Sequence, residues 1–155
     1  MATFKISDTL YETITELDKL ADHGNVIDIM KRSVYDGAAV VADEMRAAIE
    51  QIPAGGPHQI TEYQKEGLRN ALGISSIEDK NNAVTVSIGF NGYNDHPTKR
   101  WPQGQPNAMV ARSLVKGTSW LPRNDFVGKA RRKAVKKANE KMQETFDTET
   151  KKFLK

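Results

Sequence analysis

At 155 residues the chain is one ordinary domain, long enough to bury a core, and 38% hydrophobic against 28% charged residues fits a globular protein with a wide polar surface. No apolar run approaches the roughly 20 residues needed to cross a bilayer, so no membrane partner is expected, and the lack of cysteine excludes disulfides and thiolate zinc sites. The net charge of +3 hides an uneven spread: Asp8 to Asp22 and Asp36 to Glu50 are rich in acids, whereas Arg123 to Lys141 carries eight cations against Asp125 and Glu140. Such polarity suits docking on something negative, an acidic face of a neighbouring copy included.

Aromatic residues at 7% are sparse, which predicts an aliphatic, Ala-rich core. The opening Met1 to Lys5 has no apolar secretory segment, so synthesis and folding in a reducing cytoplasm are expected. A short extended start at Thr3 to Ile6 leads to Ser7 or Asp8 as cap of a first helix, on which Leu10, Ile14, Leu17 and Ala21 recur until His23-Gly24-Asn25. A second helix runs from an Asn25 cap to Pro53, with Ile27, Met30, Val34, Ala38, Val41, Met45, Ala48 and Ile52 stepping by three and four. Gly37, Ala38 and Ala42 make its middle small enough for another backbone to approach. It is a core helix on this pattern, with a subunit contact as the alternative.

Pro53 to Pro57 is a loop whose glycine pair cannot cradle phosphate, since no strand precedes it and no Lys-Ser or Lys-Thr follows. Thr61 to Leu72 reads as a short helix burying Leu68 and Leu72. Asn81-Asn82 is a turn, and Ala83 to Phe90 alternates Val84, Val86 and Ile88 with Thr85 and Ser87, the pattern of a half-buried strand. The polar stretch Asn91 to Asn107, with Tyr93 and Trp101 embedded, is either an arm reaching a neighbouring subunit or a surface loop. Ala108 to Val115 fits helix or strand. A final helix, capped by Asn124 or Asp125 and running to about Leu154, places Val127, Ala134, Ala138, Met142 and Phe146 on one side. Lys129, Arg132, Lys133, Lys136, Lys137 and Lys141 spread over the other, and Arg131 falls near the apolar stripe.

The chemistry is sparse. His23, His58 and His96 lie in separate turns without the spacing of metal ligands on one helix. Asp95-His96 are adjacent, an arrangement that rarely converges on one substrate. No nucleophile elbow, dinucleotide fingerprint or phosphate-binding loop occurs. A non-enzyme without cofactor or metal is expected. The basic helix offers salt-dependent, sequence-independent contact with DNA phosphates, or a solvated or partner-facing surface. It lacks the residue array that reads base edges and the interleaved aromatics that stack on single strands.

One stretch stands apart: Lys116-Gly117-Thr118-Ser119-Trp120-Leu121-Pro122-Arg123-Asn124-Asp125-Phe126-Val127, followed at once by the basic run. A Gly-Thr-Ser turn, a Pro and a Phe opening the last helix resemble the signature of a phage tail-component family of tail-completion and head–tail joining proteins. Ile52-Pro53, Glu66-Gly67-Leu68-Arg69, the strand Val84 to Gly89, Ala111 and Ala130 look like further pieces of that pattern. Val115 and Lys116 stand where the family often has Glu and an aromatic residue, and Asp125 and Lys129 replace prolines.

The resemblance implies an α+β subunit with two N-terminal helices, a small antiparallel sheet carrying a long loop arm, and a long C-terminal amphipathic helix. It implies a homo-oligomeric ring, often hexameric, in the virion neck, between the connector or head-completion protein and the tail tube or tail terminator protein, with DNA passing through the channel. Tyr93, Trp101, Lys116, Gly117, Thr118, Trp120, Phe126 and Arg131 are the expected interface residues. Lys129, Arg132, Lys133, Lys136, Lys137 and Lys141 are the expected contacts to DNA or an acidic surface. A small architectural protein binding duplex DNA, or a tail terminator or minor tail protein, are the alternatives.

Overall fold

A computed structural model describes residues 2–4, 23–81 and 83–153. The expected first helix, from Ser7 or Asp8 to Ala21, lies outside the described residues, so of the two expected N-terminal helices one is described. The elements are β1 (Ala2–Phe4), α1 (His23–Glu50), α2 (Glu62–Ala71), β2 (Leu72–Ile74), β3 (Glu78–Lys80), β4 (Ala83–Phe90), α3 (Asn107–Lys116) and α4 (Phe126–Phe153). This is an α+β architecture: a small antiparallel sheet with helices packed on it and a long C-terminal helix.

The periodic stripe of α1 makes it the centre of the molecule. Val34, Ala38, Val41, Ala42, Met45 and Ile49 are buried, while Ile27 and Ala48 are only half-buried. Its small middle is filled from within the chain: α4 runs antiparallel along it, and Ala134 and Ala138 are fully buried in the seam. Ser33 Oγ donates to the Met142 carbonyl, Thr145 Oγ1 donates to Asp36 at 2.6 Å, and Arg32 meets Glu149 at 2.8 Å. Interdigitation of this kind needs residues without bulk at the crossing.

The sheet is built on β4, which pairs antiparallel with β1 (Thr3 opposite Ser87) on one side and with β2 and β3 on the other. Between Ile74, opposite Ile88, and Glu78, opposite Thr85, the outer strand has one residue more than β4. This bulge is closed by Ser75: its N–H donates to Ser87 O at 2.7 Å, and its hydroxyl accepts from Ser87 N–H at 2.9 Å. Val84, Val86 and Ile88 point into the core, as the alternation predicts.

Thr61 caps α2 in a reciprocal box with Gln64. Ala108 to Val115 resolves as helix: α3 opens after Pro106 and closes where Gly117, at φ 74°, donates its N–H to Ser113 O. Asp125 caps α4 by accepting from Gly128 N–H at 3.0 Å.

Candidate interaction surfaces

The strap from Gly117 to Asp125 joins α3 to α4 and is fixed by its own backbone. Thr118 N–H donates to Leu121 O at 2.8 Å, and the Thr118 hydroxyl accepts from Leu121 N–H at 2.9 Å and from Trp120 N–H at 3.3 Å. Asn124 N–H donates to Leu114 O at 2.7 Å. Gly117 and Thr118 thus shape the turn, with Thr118 exposed and Gly117 half-buried. Leu121 drops into the core while Trp120 stays 55% exposed.

Trp120 is nevertheless held. His58, in the left-handed region at φ 55°, reaches across with Nδ1 2.8 Å from the Trp120 carbonyl oxygen, and the two rings sit 5.8 Å apart. The contact joins His58, just after the Pro53 to Pro57 loop, to the strap.

Phe126 is a correction. Expected at an interface, it is 2% exposed and packs 6.0 Å from Phe90, closing the core where α4 begins. The reason is positional: it follows the Asp125 cap directly, and the first inward position of α4 falls on it.

The stretch from Asn91 to Asn107 is tied at its base and is not an arm along its whole length. Tyr93 bridges to Pro106, and Asn94 N–H donates to Gln105 O at 3.0 Å. The buried Asn94 carboxamide oxygen accepts from His96 and Gln105 N–H, and Asn107 Nδ2 donates to Asn91 O at 3.1 Å. Only the tip stands out, turned by paired backbone bonds between Thr98 and Trp101. Trp101 is half-buried, with the Arg100 guanidinium 5.8 Å over its ring, whereas Tyr93 is 53% exposed.

On α4 the cations differ in their partners. Lys133 and Lys137 reach back to α1, 3.0 and 3.6 Å from the Glu44 carboxylate. Glu44 is held below the usual carboxylate range, first by the hydrogen bond from Lys133 and then, against some desolvation, by the charges of both lysines. Arg132 lies 3.8 Å from Asp125 and Lys141 3.4 Å from Glu144. Among the described residues Lys129 and Lys136 form no ion pair. Arg131, expected near the apolar stripe, is exposed.

Arg131 instead marks a feature that the sequence hides. A cleft of about 530 Å³ opens between α3, the end of β4 and the start of α4, floored by Ile88, Phe90, Ala111, Val115 and Val127. Arg112, Lys116 and Arg131 stand around it with Asp125. Its lining joins the end of β4, α3, the start of α4 and Met45 of α1, so the spacing within any one element does not reveal it. A smaller cleft of about 160 Å³ lies between α2 and the base of the loop, walled by Tyr63 and Tyr93 and bearing Glu66 and Asp95.

Among the described residues no group of three or more His, Asp or Glu side chains is placed to hold a metal ion, and no helix is long and apolar enough to cross a membrane. Comparison with family models, with curated proteins and with solved structures finds no match to this chain.

Proposed function

We propose that the chain is a structural virion protein of a tailed bacteriophage, a tail-completion or head–tail joining subunit that assembles into a ring, often sixfold in the family it resembles, around the DNA channel of the neck. Its partners on this reading are further copies of itself, the connector or head-completion protein, and the tail tube or tail terminator protein. It catalyses no reaction and works by shape. A terminator or minor tail role is the same architecture touching a different ring.

The observation that carries the reading is the strap. The residues resembling the family signature, Gly117 to Asp125, form a hydrogen-bonded link on which the Trp120 side chain is exposed, with its carbonyl oxygen 2.8 Å from His58 Nδ1. An exposed Trp is the kind of residue on which interfaces are anchored. The test is imaging of particles after deletion of this gene from the suspected phage genome. Filled heads and finished tails that fail to join support the proposal; normal joined particles remove it.

The second reading, non-specific binding of duplex DNA through α4, is favoured by the exposure of Lys129, Arg132 and Lys136 along one helix. It requires retention of DNA at low salt that weakens steeply as salt rises. No retention at low salt ends it.

A further inference from the structure

The two clefts differ in chemistry in a complementary way. The larger one has an apolar floor and three cations around it, Arg112, Lys116 and Arg131. Its single carboxylate, Asp125, is already committed, accepting from Gly128 N–H and lying 3.8 Å from Arg132. The smaller one has the reverse character. Tyr63 and Tyr93 are 54% and 53% exposed, and the Tyr63 ring stacks flat on His96 at 4.0 Å, which holds it in place without covering it.

Glu66 and Asp95 flank these rings, and no cation lines that cleft. The nearby cations of α2 are turned elsewhere: Arg69 Nη2 donates to Glu50 Oε2 at 2.8 Å, and Lys65 Nζ donates to the Glu50 carbonyl at 2.8 Å. Lys99 and Arg100 lie further along the loop.

We infer that these are the two halves of one contact between copies of this chain: the Tyr63–Tyr93 face of one copy, with Glu66 and Asp95, seats on the apolar cleft ringed by Arg112, Lys116 and Arg131 of the next. Tyrosine combines a large apolar surface with a polar tip and few rotors, which suits an open, apolar-floored cleft. The opposite charges set orientation and disfavour self-pairing of either face. Because the two faces are different, the contact is head-to-tail, the type that closes into rings when the rotation permits. The inference deepens the ring reading and rests on it for self-association, though not for the identity of the virion.

The chain has no cysteine, so engineered thiols report one contact cleanly. Full-length Tyr93→Cys and Arg112→Cys proteins are mixed and oxidised, with Tyr35→Cys, exposed on α1, as the control. The expected result is a Tyr93→Cys/Arg112→Cys mixed disulfide well above either homodimer and above any pair with the control. Lys116→Glu with Arg131→Glu in the Arg112→Cys protein should reduce it by more than about tenfold, and Glu66→Lys with Asp95→Lys in the partner should restore it.

A mixed disulfide no more abundant than the control overturns the inference. If sedimentation of the unmodified chain then still shows assembly, the ring reading survives on other surfaces. If the mixed disulfide forms but heads and tails join normally without the gene, the pairing stands and the neck reading falls.

Discussion

Gly37 of α1 and Met142 of α4 are packed so closely that a Cβ on Gly37 would lie 2.8 Å from Met142 Sδ and 3.3 Å from the Ala138 carbonyl oxygen. The small middle of α1 exists for this crossing. Gly37→Val should lower stability to denaturant by about 1–3 kcal/mol through overpacking. Gly37→Ala should cost less, because alanine returns roughly 0.5–1 kcal/mol of helix preference. In a Met142→Ala background the added strain of Gly37→Val should largely vanish, giving a coupling of about 0.5–3 kcal/mol between the sites. Denaturation curves for Gly37→Val that coincide with the parent would refute the crossing.

Gly67 plays the same part for the loop. A Cβ there would meet the side chain of Asn107 and lie 2.8 Å from Asn94 Cβ, the two buried amides that pin the base of the 91–107 stretch. Gly67→Ala should cost about 1–3 kcal/mol. It should also speed hydrogen exchange at the Asn94 and Asn107 amides, which donate to Gln105 O and Gly92 O. Unaltered exchange at both would mean the loop does not lean on α2.

The legible parts of this fold were those whose pattern is local. β4 spans Ala83 to Phe90 as its alternation predicts, a helix forms within Thr61 to Leu72, the Asp125 cap is in place, and α4 buries Ala134, Ala138, Met142 and Phe146 as its spacing requires. Residues 108–115 were ambiguous because a short run with Val110, Leu114 and Val115 fits either period, and only packing against α2 and β4 decides for helix. β2 and β3 escaped because each is three residues long and a bulge divides them. The loop looked free because asparagine signals turns in a sequence. That Asn94 and Asn107 are buried depends on Gly67, more than 20 residues away. Phe126 was misplaced outward for the opposite reason, since a capped helix start gives no sign of which first-turn residue points in.

The Glu44 cluster predicts a pH response. Its carboxyl sits below the ordinary range because Lys133 donates to it and Lys133 and Lys137 lie beside it. A group depressed on folding adds stability that is present above its unfolded pKa, about 4.3 for Glu, and is lost as pH falls through the lower folded value. Acid titration of stability should therefore be shallower below about pH 5 in Glu44→Gln than in the parent. Added salt should shrink the difference, since both lysines are largely exposed. Parallel titrations would show that the pair does not matter to folding.

The two tryptophans should separate in behaviour. Trp120→Ala removes an exposed ring and should change monomer stability by less than about 0.5 kcal/mol, while head–tail attachment or ring assembly weakens. Trp101→Ala should weaken assembly too and leave the monomer folded, but its half-buried ring also supports the loop tip, so local exchange at Thr98 and Gly104 should quicken. Attachment unaffected by Trp120→Ala would detach the strap from partner binding.

The division of the α4 cations decides how DNA binding has to be tested. Reversing Lys133 and Lys137 would place two new carboxylates against Glu44, so any fall in affinity would be mixed with damage to the α1–α4 seam. Lys129→Glu with Lys136→Glu avoids that seam, because neither side chain is ion-paired to another described residue. If α4 faces DNA, this pair should weaken binding uniformly across sequences and lower the slope of log affinity against log salt by about two, one for each phosphate that is no longer neutralised. Affinity and slope equal to the parent's would leave the basic face to solvent or to an acidic neighbour, and would make the Glu44 pairing the main structural use of this charge.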